Sequence, residues 1–338
     1  MPKLSVVIPV YNVEGYIVKC LDSLIEPGRG RLVSGEEAGY EIIIVNDGST
    51  DRSGEIAAEY CRNCPELIRL ITIENSGQGQ ARNAGMEAAS GDFLYFIDSD
   101  DYLVPGAMAE LLEALEKDFD ICIFDSIAVN AAGRELEYRP GCRHSGSLSL
   151  SSSPELLLEN PDVWNKIFRR SLFIDNGIRF TPRVWFEDLR TVPKLYAFTD
   201  KIIYIPKAWH RYVQRPDSVT NTSQVRRNLE IIPAVDELVD FYKVRGMYDK
   251  LKDVLEYLAF YSQFLTSSVR ANLADWKSPV QDELMTDFLR KFPDYKNNPY
   301  VRSMGIKHKL LSFLLMHRLR LSVHVLMKLN NKLKDKKV

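Results

Sequence analysis

Leu4-Ser5-Val6-Val7-Ile8-Pro9-Val10, followed by Tyr11-Asn12, decides how this chain is to be read. Seven residues, mostly β-branched and with no polar alternation, describe a strand covered on both faces, and Pro9 and Tyr11-Asn12 stop it. Glu14 to Ile25 then carries Ile17, Val18, Leu21, Leu24 and Ile25 at helical spacing, closed by Pro27 and Gly28. A polar, glycine-rich insertion spans Gly28 to Gly39. Glu41 to Asn46 is a second continuous apolar run, and Asp47-Gly48-Ser49-Thr50-Asp51 turns the chain into a helix over Ser53 to Tyr60. Leu67 to Ile73 repeats the strand, Gln80 to Ala89 the helix, and Phe93 to Ile97 forms a fourth strand that ends in acid. Strand and helix in strict alternation predict βαβ units, an α/β fold and a mostly parallel sheet flanked by helices.

The pattern loosens further along. Pro105 to Glu116 reads as a helix, Ile121 to Phe124 as a strand, and Asn130 to Ser153 as a hairpin or loops. From about Ser223 helical spacing takes over, with Phe241, Tyr242, Tyr257, Phe260, Tyr261 and Phe264 among its apolar positions. This divides the chain into a sheet domain over residues 1–222 and a helical C-terminal region over 223–338. With 338 residues, 45% of them hydrophobic, the chain can bury a sizeable core and carry a small second region. A formal net charge of -2 supplies no global basic field, so nucleic acid is not an expected partner. Met1-Pro2-Lys3 runs into the first strand without an apolar leader, which points to the cytoplasm. The five cysteines are odd in number and scattered, and Cys61 and Cys64 read as thiols on a helix, not as a zinc or redox pair.

An open parallel sheet binds its ligands beyond the carboxyl ends of the strands. Those ends carry Tyr11, Asn12 and Glu14 after the first strand, Asp47 after the second, Arg82-Asn83 at the turn into the third helix, and Asp98-Ser99-Asp100-Asp101 after the fourth, and all four groups could line one crevice. Each has a plain structural explanation alone, since Asn and Asp terminate strands. Three carboxylates within four residues repel one another unless a cation or donors neutralise them. Mg²⁺ or Mn²⁺ takes one or two such carboxylates and completes its shell with diphosphate oxygens and water. The competing explanation is an acidic turn that caps the following helix.

Val7-Ile8-Pro9-Val10-Tyr11-Asn12, Val45-Asn46-Asp47-Gly48-Ser49-Thr50-Asp51, Ala81-Arg82-Asn83 and Phe96-Ile97-Asp98-Ser99-Asp100-Asp101, in that order, resemble the family 2 glycosyltransferases. Trp185-Phe186-Glu187-Asp188 and His210-Arg211-Tyr212 extend the resemblance over roughly the first 220 residues. It implies a nucleotide-sugar-binding domain of the glycosyltransferase A type and an inverting transfer from a nucleoside diphosphate sugar, UDP by default. The acceptor hydroxyl would belong to a cell-surface polysaccharide or a glycolipid. By the same resemblance Tyr11, Glu14 and Asp47 hold base and ribose, with Pro9 and Ser99 in the same binding set. Arg82 and Asn83 hold the diphosphate side or the sugar, Asp98 the ribose, Asp100 the divalent metal, and Asp188 acts as base. Asp101, Trp164, Glu187, His210 and Arg211 are further candidates for diphosphate, metal or acceptor contacts.

Chemistry supports a base distant from the acidic turn, because inversion needs the acceptor hydroxyl activated on the face opposite the leaving group. Trp185 and Phe186 precede Asp188 and are suited to desolvate it. Glu187-Asp188 could instead simply begin a helix, His210-Arg211 could be surface residues, and Trp164 could be an ordinary packed aromatic. Two rival functions remain: a nucleotidyltransferase acting on sugar phosphates, and a non-catalytic carbohydrate-binding relative. The first lacks its glycine-rich loop after strand one, and intact Asp98, Asp100 and Asp188 argue against the second. From Arg302 onward Lys307, Lys309, Arg318, Arg320, Lys328, Lys332, Lys334, Lys336 and Lys337 face only Asp335, amid many leucines. Such a stretch is too charged to span a bilayer. It suits an anionic membrane surface, where a lipid-linked acceptor would be presented, or else packing on its own domain or in a homodimer.

Overall fold

The structure is a computed structural model that describes residues 2–25, 38–144, 146–215 and 224–335. The insertion expected between Gly28 and Gly39 lies, apart from its last two residues, outside the described residues. The first half follows the expected alternation: β1 (Leu4–Val10), α1 (Ile17–Leu24), β2 (Tyr40–Asn46), α2 (Ser53–Asn63), β3 (Ile68–Thr72), α3 (Gln78–Ala88) and β4 (Phe93–Phe96). β1 pairs in parallel with β2 and β4, and β2 with β3. Every residue of β1 and β2 is buried because the sheet is covered on both faces. Leu4, Val6, Ile8 and Val10 join one core cluster with Ile17, Cys20, Leu21 and Leu24 of α1. Val7 looks the other way, onto α3, which comes so close at Gly85 that an added Cβ would stand 2.3 Å from Val7 Cγ1. Pro9 is tolerated here because β4's pairing with β1 ends at Val7.

Beyond β4 come β5 (Tyr102–Leu103), α4 (Ala107–Ala114), β6 (Ile121–Asn130), β7 (Glu135–Arg139), β8 (Ser147–Leu148), β9 (Lys166–Arg169), α5 (Ser171–Ile174), α6 (Glu187–Leu195) and β10 (Ile202–Gln214). The sheet runs β3-β2-β1-β4-β9-β6-β10-β5, with β7 on β6 and β8 on β10. β9 is antiparallel to both its neighbours, so among the described residues the parallel half continues into a mixed sheet rather than the mostly parallel one expected. Four residues flanked by charge leave β9 no periodic signature to read. β10 also departs from expectation. The apolar run Lys201 to Ile205 in the sequence predicts a strand that ends near Ile205, with His210 to Tyr212 at a chain reversal. Instead it carries on through register shifts between Ile205 and His210, around Pro206, and holds His210 and Arg211 inside the sheet.

Two compact units result, Met1–Arg215 and Pro216–Val338. The boundary expected at 222/223 falls at the edge of residues 216–223, which are outside the described residues. In the second unit the described residues form α7 (Ile231–Val244), α8 (Tyr248–Leu258), a π-helical stretch Ala259–Thr266, α9 (Ser267–Ala274), α10 (Val280–Lys291), α11 (Pro299–Ser303), α12 (Ile306–Met316) and α13 (Arg320–Asp335), with short 3₁₀ turns between. Its core is aromatic: Phe260 packs on Phe264, Phe288 and Tyr295 at ring separations of 5.5 to 5.8 Å.

Candidate active site

The carboxyl ends of β1 and β2 are tied together by side chains meeting backbone. Asn12 turns the chain at φ 50°, and its Oδ1 accepts from the Thr50 N–H at 2.8 Å. The Glu14 N–H donates to Asp51 Oδ2, and the Arg52 N–H to Glu14 Oε2, both at 3.0 Å. Tyr11 stands 48% exposed above this platform, open to a flat ligand. Asp47 is buried, and its two carboxylate oxygens accept from the Ser76 and Gly77 N–H groups at 2.7 and 2.8 Å, fixing the loop that leads into α3. Asp47 therefore shapes the crevice through the backbone.

α3 delivers Arg82, which is 1% exposed and joins two halves of the site. Its Nη2 donates to Asp98 Oδ1 at 2.9 Å, and its Nη1 to Glu187 Oε1 at 3.0 Å and Asp188 Oδ1 at 3.1 Å. Burial would lower the Arg82 pKa, but the carboxylates of Asp188, Asp98 and Glu187 outweigh it and hold the guanidinium charged. Gln78, one turn earlier, also donates to Glu187 Oε1. A direct donor contact was expected of Arg82; instead it is enclosed by carboxylates. The Asn83 amide likewise pairs on both sides with the Phe180 backbone, at 2.8 and 2.9 Å, and so anchors the segment before α6. Both residues moved from ligand to scaffold because α3 packs tightly on the sheet and turns them inward.

Glu187 and Asp188 occupy the first turn of α6, where the helix dipole favours carboxylates. Phe186, just before them, sits at φ 63°, a left-handed conformation that costs an aromatic residue about 1–3 kcal/mol. Strain at the residue that aims Asp188 fits a functional turn. Burial, with Glu187, Asp162 and Asp98 nearby, pushes the Asp188 carboxyl well above its ordinary value, and Arg82 opposes this. Such a carboxyl has gained proton affinity, which is what a general base requires.

The acidic turn is organised by cations and by β10. Arg215 Nε stands 2.7 Å from Asp100 Oδ2. Asp101 is buried and accepts from the Val213 N–H at 2.7 Å through Oδ1, while its Oδ2 lies 2.8 Å from His210 Nε2. His210 is fully buried, its Nδ1 3.0 Å from the Tyr95 hydroxyl and its ring stacked on Trp164 at 4.6 Å. Burial pushes its pKa down to about 3, so the ring is neutral. A neutral ring with Nε2–H donating to Asp101 and Nδ1 accepting from Tyr95 satisfies all three groups. The diphosphate or metal clamp expected of His210 is thereby corrected: it locks the acidic turn onto the sheet. Arg211 is corrected too, since it donates to Ala208 O and Glu135 Oε1, at 2.8 and 3.1 Å. Trp164 is a packed aromatic stacked between His210 and Tyr212.

Three groups near these carboxylates escaped the sequence reading. Arg215 follows a long strand and carries no spacing signal. The Asp162 carboxyl is raised by burial, opposed by Lys166 and Arg139, with Asp98 adding to the rise. Lys166 is buried and donates from Nζ to Asn160 O, Asp162 O and Asn165 Oδ1, at 2.7 to 2.9 Å; burial pushes its pKa down to about 8. Of the residues singled out in the sequence, Trp164 is the neighbour of this corner.

Among the described residues no three His, Cys, Asp or Glu side chains form a metal cage. Mg²⁺ or Mn²⁺ needs only one or two protein carboxylates beside a diphosphate. Asp98 and Asp100 suit that demand: their side chains keep 28% and 18% exposure. Burial together with Asp101 and Asp98 pushes Asp100 up to about 7 despite Arg215, as expected of a cluster short of positive charge.

A family model described as "Glycosyl transferase family 2" matches residues 5–188, more than half of the chain. The glycosyltransferase GlyA of Streptococcus pneumoniae serotype 4 is 29% identical over 79% of this chain, and the match spans only 38% of that relative's length. A crystal structure of Staphylococcus aureus TarS 1-349 in complex with UDP-GlcNAc shares the fold at a TM-score of 0.57 and 20% identity, covering 93% of this chain and 79% of that one. The mannosyltransferase PcManGT of Pyrobaculum calidifontis, in complex with GDP-Man and Mn²⁺, shares it at 0.54 and 14% identity, covering 95% and 86%.

Proposed function

This chain belongs to glycosyl transferase family 2, and from that premise we propose that it moves a sugar, with inversion, from a nucleoside diphosphate sugar to an acceptor hydroxyl of a cell-surface polysaccharide or glycolipid. The observation that carries the reading is the single guanidinium of Arg82 holding Asp98 on one side and Glu187 and Asp188 on the other. One rigid cation sets the distance between the acidic turn and the base.

In this reading Tyr11 and the platform around Asn12 and Glu14 receive base and ribose, with Pro9, Asp47 and Ser99 shaping the walls and Asp98 reaching the ribose. Asp100 would hold a divalent cation, which when bound stabilises the charge that collects on the departing diphosphate. Asp188 accepts the proton of the acceptor hydroxyl while the acceptor oxygen attacks the anomeric carbon and the diphosphate leaves from the opposite face. Arg82 keeps the Asp188 oxygen aimed, and it compensates the buried carboxylates before and after the proton moves. The free thiols among the described residues fit a reducing, cytoplasmic compartment.

UDP, CDP and GDP, each with and without Mn²⁺, should be titrated calorimetrically into the intact chain and into Asp100→Ala. The expected result is metal-dependent binding of one diphosphate, lost in Asp100→Ala. UDP leads because TarS, of the same fold, was solved with UDP-GlcNAc, and GDP is included because PcManGT was solved with GDP-Man. If no diphosphate binds with either metal condition, the reading is wrong.

A further inference from the structure

Eight of the fourteen exposed large hydrophobic side chains among the described residues lie between Ile306 and Leu329, on α12, α13 and the turn joining them. The surface of the second unit is apolar here and, for the most part, not elsewhere. On α12 they are Ile306, Leu310 and Phe313, 85%, 47% and 55% exposed and spaced four and three residues apart. On α13 they are Leu321, Val325 and Leu329, spaced four apart and 49% to 55% exposed. At about 100° per residue each set is one stripe along its helix.

Both stripes lie opposite the faces by which the helices are held. α12 buries Ser312 and Leu315. α13 buries Val323, its His324 Nδ1 lies 3.1 Å from Asn272 O, and Arg320 is held by Asp282 through its side chain and by Asn272 through its carbonyl. Each helix is therefore fixed by one side and apolar on the other. Lys307 and Lys309 flank the α12 stripe on its two sides, and Lys328 flanks that of α13. These three lysines have no acidic partner among the described residues, and residues 302–334 contain no Asp or Glu at all. No helix among the described residues is long and apolar enough to cross a membrane.

We propose that α12 and α13 together form a docking surface for an anionic lipid bilayer, the stripes entering the headgroup boundary and the lysines meeting lipid phosphates. Charge complementarity favours lipid over a second copy of the chain. A twofold interface sets a patch against itself, and this one would place lysine against lysine with no carboxylate between them. The surface belongs to the unit Pro216–Val338 and Asp98, Asp100 and Asp188 to the unit Met1–Arg215, and it shares no residue with the site, so its test is independent of the catalytic reading.

The experiment is flotation of the full chain with vesicles of phosphatidylcholine, with and without phosphatidylglycerol. Leu310→Asp/Phe313→Asp and Lys307→Glu/Lys309→Glu are run beside it, with circular dichroism as the folding control; all four positions are exposed, so folding should survive. The expected result is binding only to phosphatidylglycerol vesicles, weakened by salt and reduced about tenfold or more in each double variant. Transfer to a soluble acceptor should be unchanged in both variants. Equal binding to phosphatidylcholine overturns the proposal, as does a chain that stays with neither vesicle. Self-association that Leu310→Asp/Phe313→Asp abolishes would make the face a dimer surface instead.

Discussion

Arg82 and Asp188 separate structure from chemistry at the level of single residues. Removing a buried cation leaves Asp98, Glu187 and Asp188 facing one another, so Arg82→Ala is expected to lose about 3–5 kcal/mol in urea denaturation. Arg82→Lys restores the charge without the planar fork and should recover only part of that loss. An Arg82→Ala variant as stable as the parent would mean that these contacts are not formed in solution. Asp188→Asn keeps an oxygen for the Arg82 Nη1 bond and removes the base. Turnover should fall by about 10²- to 10⁴-fold with the calorimetric affinity for the diphosphate unchanged. Loss of nucleotide affinity together with turnover would move Asp188 from base to donor contact. The sequence pointed to these positions because acids and an arginine gather at strand ends and helix starts. It could not say that Arg82, Asn83 and His210 face inward, since neither a helical spacing nor an interrupted strand run identifies the partner across the sheet.

Between elements, Glu41 of β2 does for the edge remote from the site what Arg82 does within it. Its Oε1 accepts from Ser5 Oγ of β1 and from the N–H and Oγ of Ser90 after α3, all at 2.7 Å. Burial alone would raise this carboxyl; the Ser90 and Ser5 hydrogen bonds and the Arg69 charge bring it below its ordinary value. A carboxyl depressed in the folded state stabilises the fold above its unfolded pKa and loses that contribution as pH falls through the folded one. Glu41→Gln should therefore cost about 1–2 kcal/mol at pH 7. The difference from the parent should begin to close below about pH 4.3 and vanish at lower pH. Parallel denaturation curves across that range would show that Glu41 carries no such role. The runs LSVVIPV and EIIIVN announced β1 and β2 because strands covered on both faces need unbroken apolar residues. β9 and the second half of β10 had no such signature, being short or interrupted by Pro206 and register shifts.

Across the whole molecule, every residue assigned to the site comes from Met1–Arg215. Hydrogen exchange with the bound diphosphate and Mn²⁺ should show slowed exchange in α3, at the end of β4 and in the first turn of α6. At a ligand concentration of a hundredfold Kd the stabilisation is about 2.7 kcal/mol. Protection confined to Pro216–Val338 would relocate the site. What the sequence determined by itself was local in kind: alternating strands and helices, acids at strand ends, and a basic, leucine-rich stretch from Lys307 on. These are patterns within a few residues, where backbone geometry and burial period act directly. What the tertiary structure decided was which of those residues meet: Arg82 with Asp98 and Asp188, Asp101 with His210, Asp100 with Arg215, and which faces of α12 and α13 stay uncovered. Those pairings join positions up to 115 residues apart, and only the packing of the sheet and its helices brings them within hydrogen-bond reach.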